Sequence, residues 1–156
     1  MYRAIRSRQR GTATVELAMV LPVLVFLLFG IIEFGLMVKD VVGLNQAARE
    51  GARCAAVGAT PATITTRIEA SAPTIDTSQL TELYEYRSYD EDYGTWGNWT
   101  VLGETDGHNN ASDGDQIRIT LHYPHQLVTG GIFAYLADAD NPGKIGLETA
   151  IIMRRE

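Results

Sequence analysis

The feature that most constrains this chain is an apolar run near its N-terminus, RGTATVELAMVLPVLVFLLFGIIEF at residues 10–34. Leu17 to Ile32 carries no charge, and from Val15 to Val38 only Glu16 and Glu33 interrupt the apolar character. As a helix rising about 1.5 Å per residue, that stretch reaches about 36 Å, enough to cross a bilayer's hydrocarbon core of about 30 Å with some tilt. The rest of the chain is too small to bury such a helix on every side, so the sequence reads as a membrane span rather than a core helix. A removable secretory signal fits poorly. The apolar region is too long, and Ile31-Ile32-Glu33-Phe34 offers no small-x-small cleavage site.

Charge is segregated around this run. Arg3, Arg6, Arg8 and Arg10 precede Gly11 with no acid among them. The positive-inside bias places that end in the cytoplasm and everything after Lys39 on the exported side. From Lys39 onward there are nine basic and seventeen acidic residues, a formal net of −8. Such a part is no nucleic-acid binder by charge. A single cysteine, Cys54, rules out an internal disulfide framework and reads as a small packed hydrophobe, with cross-linking of two chains as the open alternative.

Two carboxylates flank the span. A carboxylate at the bilayer centre costs about 2.5–3.5 kcal/mol and less toward an interface. Glu33, near the outer interface, reads as a side chain that simply reaches water. Glu16, near the cytoplasmic interface, admits the same reading or a positive partner.

Pro22 lacks an N–H and would break the bond to the Ala18 carbonyl, so a kink is expected there. Past the span the helix continues. Gly43, Ala47, Gly51 and Ala55 recur every four residues, with Ala48, Ala52 and Ala56 beside them. Such a ladder admits another backbone closely, or forms the buried face of a helix packed on its own domain. Gly58-Ala59-Thr60-Pro61 ends this helix, and Thr60 caps a second that runs to about Ala70. The remainder reads as strands. Tyr84 and Tyr86 alternate with polar residues, as do Trp99 and Val101, with a turn around Asp90–Gly94 between them. Ile117, Ile119, Leu121 and Tyr123 mark the clearest half-buried strand, and Leu147 to Met153 the last. Residues 127–137 are ambiguous, because Gly130-Gly131 argues against an uninterrupted helix. The fold class is therefore α+β: a long N-terminal transmembrane helix continuing into an exported helix packed on a small antiparallel sheet. Residues from about Gly43 onward are expected to fold alone, with a cut best placed after Leu44.

No pattern for chemistry emerges. The acidic stretch Gly103–Asp115 departs from a calcium loop, with Ala111 where glycine is needed and Ile117 at the twelfth position. His108, His122 and His125 lack metal-ligand spacing. The expectation is no enzyme, no metal and no cofactor.

Arg10-Gly11, then Thr12-Ala13-Thr14-Val15, then Glu16 and a long apolar helix resembles the N-terminus of type IV prepilin-like proteins. The Leu21-Pro22 step, Glu33-Phe34-Gly35 and Ala47-Ala48-Arg49-Glu50-Gly51-Ala52-Arg53 narrow this to the TadE-like family of tight-adherence pilus pseudopilins. The resemblance implies a basic leader at 1–11, a transmembrane helix at 12–38 and an exported pilin-like domain at 39–156. It implies cleavage after Gly11, with Arg10, Gly11 and Thr12 as the processing site. Glu16 would then pair with the freed Thr12 amine of a neighbouring subunit. The implied role is a minor pilin or pseudopilin of a pilus used in adhesion or secretion. The implied partners are other pilin subunits, a prepilin peptidase and an inner-membrane assembly platform, in a single-pass protein of the bacterial inner membrane facing the periplasm. The alternative is a permanently anchored binding or regulatory module that never enters a filament.

Overall fold

The computed structural model describes residues 6–156, with side chains from Gly11 onward except that of Ala134. Most of the basic leader, Arg3 included, and the Arg10 side chain lie outside the described residues. Helix α1 (Arg6–Ala56) is continuous over 51 residues and runs unbroken through Pro22. Helix α2 (Pro61–Ser71) follows after a short corner. Thr60 caps it, its side chain accepting a hydrogen bond from the Thr63 N–H, and Pro61 opens its first turn.

Eight strands complete the fold: β1 (Thr81–Arg87), β2 (Tyr89–Asp90), β3 (Thr95–Trp96), β4 (Thr100–Val101), β5 (Glu104–Thr105), β6 (His108–Asn109), β7 (Gln116–Gln126) and β8 (Lys144–Arg154). Four of them make an antiparallel sheet in the order β4-β1-β7-β8. β2 pairs with β3, and β5 with β6, as two small hairpins. The β5–β6 turn is Asp106-Gly107, both with positive φ, the geometry that a two-residue hairpin demands. The acidic stretch is thus a hairpin held by its turn rather than an open loop.

β7 is the spine of the sheet. Its odd-numbered residues, Ile117, Ile119, Leu121, Tyr123 and His125, all face inward and are buried. They meet the second half of α1 and α2, where Leu44, Ala47, Ala48, Ala52, Ala55, Ile64 and Ile68 complete the core. Small residues on α1 are what let α2 approach. A Cβ built on Gly51 would stand 2.7 Å from two side-chain carbons of Ile68. At Gly43 the nearest atom would be the Thr74 Oγ1, at 3.2 Å. The ladder Gly43, Ala47, Gly51, Ala55 therefore faces the chain's own domain. Leu44 is 1% exposed, so a cut placed after it would remove part of the core, contrary to the expectation from sequence.

On its other face the sheet is polar and stacked. Arg118 of β7 donates to Glu85 of its registered partner on β1. The guanidinium groups of Arg87 and Arg118 lie 4.5 and 4.2 Å from the Trp99 ring centroid. The far end of α1 is closed by side chains. Asn109, buried, donates to the Ala55 and Ala59 carbonyls, and Arg155 donates to that of Ala56.

Candidate functional site

Two places along the apolar run of α1 carry ionisable groups, and the fold treats them differently. From Gly11 to Leu28 every residue of α1 is exposed, Glu16 and Thr12 among them. Val15, Leu17, Met19, Val20, Leu24 and Leu27 each present more than half of their surface. Among the described residues, the head reaches this segment only at its far end, where Phe133 lies against Phe26. A Cβ on Gly11 would meet no described atom within 4 Å, so packing gives no reason for a glycine there.

Seventeen residues further on, Glu33 is only 1% exposed. Its carboxylate accepts hydrogen bonds from the Val128 N–H (3.0 Å), the Thr129 N–H (2.9 Å) and the Thr129 hydroxyl (2.6 Å). The reading of Glu33 as a side chain reaching water is thereby corrected. The physical reason lies in the segment after β7, which folds back along α1 and supplies three donors in place of water. An ionised carboxylate needs such donors when it leaves solvent.

Two turns along the same face, Asp40 accepts from His125 Nδ1 at 2.7 Å. The other ring nitrogen, Nε2, stands 3.6 Å from a Glu33 oxygen. The imidazole is thus wedged between two acids on α1 and is itself buried. Beside it, the short 3-10 segment Gly130–Leu136 lays Phe133 on the helix, 5.2 Å from the Phe26 ring centroid and 6.4 Å from that of Phe34. Together these contacts fasten the head to the apolar part of α1. Chemically the junction is a clamp. Among the described residues no group of three His, Cys, Asp or Glu side chains is arranged to hold a metal ion.

Of the residues singled out from sequence, Gly11, Thr12 and Glu16 lie together on the exposed N-terminal part of α1. The ladder lies at the opposite end of the helix, inside the head. The sequence reading missed Asp40, His125, Thr129 and Phe133. A signal for His125 existed: extending the β7 alternation by two residues beyond Tyr123 turns it inward.

Fold and junction together define a class: an α+β head clamped onto one long helix whose other half is apolar and bare. That helix is the chain's one candidate membrane span among the described residues. A family model described as TadE-like protein matches residues 11–53, which takes in the exposed segment, both clamp carboxylates and most of the ladder. The match falls on the segment from which the resemblance was read in the sequence. No curated protein and no solved structure matches the chain.

Proposed function

We propose that this protein is a minor pilin or pseudopilin that takes part in assembly of a tight-adherence pilus, with no catalytic activity of its own. One observation carries the reading. The TadE-like segment contains a helix half whose large apolar side chains are exposed from Val15 to Leu28, so this surface needs lipid or other helices. In this reading a prepilin peptidase cuts after Gly11, and Thr12 becomes the mature terminus. The basic flank stays in the cytoplasm, and the head lies outside the inner membrane. Glu16 is then one turn from the new amine, and a neighbouring subunit's amine is its counter-charge. An ion pair in a low-dielectric setting is far stronger than in water.

Support for processing comes from Gly11 itself. A glycine inside a helix costs about 1 kcal/mol relative to alanine, and none of the described packing recovers that cost. A residue without a Cβ can lie extended in a protease cleft. The test is N-terminal sequencing of the membrane-extracted protein together with the chain content of purified pili. A terminus at Thr12 and presence in pili are the expected results. A Met1 terminus in cells holding the cognate peptidase overturns processing. A cut chain absent from pili and from pilus-assembly complexes favours the anchored regulatory module.

A further inference from the structure

The segment that seals Glu33 continues beyond the seal. From Leu127 to Ala137 it carries no charged residue, and it returns to acid only at Asp138. Phe133 is buried against α1, whereas Val128 is 67% exposed, Ile132 41% and Tyr135 73%. Phe133 and Tyr135 stand beside Phe26, Leu27, Gly30, Ile31 and Phe34. With Phe133 and Tyr135 those residues line an open groove of about 650 Å³.

Position along α1 decides what surrounds that groove. A hydrocarbon core of about 30 Å holds about twenty helical residues. Counted from Glu16, it ends near Leu36. Glu33 then lies just inside the outer edge of the hydrocarbon, and Phe26 lies about 10 Å deeper than Glu33. Phe133, in contact with Phe26, is at hydrocarbon depth with it. Backbone outside a regular α-helix is tolerated there only when its polar groups find partners in the protein. Val128 and Thr129 spend their N–H groups on Glu33. A tyrosine beside an apolar wedge is the composition of an interfacial anchor.

We propose that residues 128–136 form a second membrane-inserted element, a re-entrant wedge seated in the outer leaflet beside α1, with lipid acyl chains filling the groove between Tyr135 and Phe34. Glu33 enters the bilayer because the wedge covers it, and the wedge stays down because Glu33 holds it. The inference rests on the membrane reading of α1, and the experiment separates the two.

In a Cys54→Ser background, single cysteines at Leu24, Tyr93, Ile132 and Tyr135 are spin-labelled in the full chain. The labelled protein is reconstituted in phosphatidylethanolamine–phosphatidylglycerol vesicles. Collision with oxygen, which concentrates in lipid, is compared with collision with a water-soluble nickel chelate. The oxygen-to-nickel ratio at 132 and 135 is expected to approach that at 24 and to exceed that at 93 severalfold. A ratio at 132 and 135 equal to that at 93, with 24 in lipid, overturns the wedge and leaves the span intact. Shielding of 132 and 135 from both reagents overturns it in favour of a neighbouring protein chain in the groove. A water-exposed label at 24 overturns the membrane reading and the wedge together.

Discussion

The two halves of α1 are one uninterrupted helix built for two different surroundings. Before Phe29 all of its described side chains are exposed, and most are large and apolar. From Glu33 onward one face is buried at Glu33, Asp40, Leu44, Ala47, Ala48, Gly51, Ala52, Ala55 and Ala56. That face changes character on the way. Where it meets the end of β7 and the loop after it the face carries acids, and where it meets α2 and the rest of the sheet it carries small residues. Helical continuity, then, reveals little about what a helix is for; the residues on each face, read against what covers them, reveal a great deal.

The largest effect is expected from cutting between the halves. A chain beginning at Asn45 lacks Leu44, Asp40 and Glu33 and should lose at least about 4 kcal/mol, from a lost core leucine and orphaned buried polar groups. One beginning at Ile32 keeps all three and should melt cooperatively by circular dichroism. Equal melting of the two would show that the clamp contributes nothing. Next comes Glu33→Ala, which leaves three donors without their carboxylate and should cost about 2–4 kcal/mol by thermal unfolding in detergent. Gly51→Ala should cost about 1–3 kcal/mol through its clash with Ile68, and in an Ile68→Ala background, where both clashing carbons are gone, the added cost of Gly51→Ala should vanish. Its counterpart Gly35→Ala, where a Cβ meets nothing within 4 Å, should be neutral or slightly stabilising. Loss of stability at Gly35 would mean that something covers it. Thr60→Ala should cost about 1 kcal/mol by removing the cap of α2. Glu16→Gln should leave unfolding of the head unchanged. Its effect should appear only as loss of co-purification with other pilus components, and normal co-purification would reduce Glu16 to an ordinary interfacial residue.

Much of this was written in local pattern. The apolar run, the Thr60-Pro61 start of α2, the alternation in β7 and the small-residue ladder each depend on neighbours in sequence, and each placed its element. The clamp did not announce itself, because its partners are far apart: Glu33 meets Thr129, and Asp40 meets His125, across more than eighty residues. A lone glutamate near an interface carries no mark of a loop that will cover it. The Asp106-Gly107 pair is itself a two-residue hairpin signal, legible in the sequence. Residues 127–137 stayed ambiguous for a physical reason: their shape is set by the helix they lie on rather than by their own periodicity.

The continuous α1, 51 residues long, puts no loop between its apolar half and the head. With the clamp pinning the loop to its side, the helix acts as a stiff shaft, and the head inherits its azimuth. Any neighbour that grips the bare half thereby dictates which way the sheet points. A small rotation of the shaft within a bundle would swing the polar, tryptophan-bearing face of the sheet through the same angle.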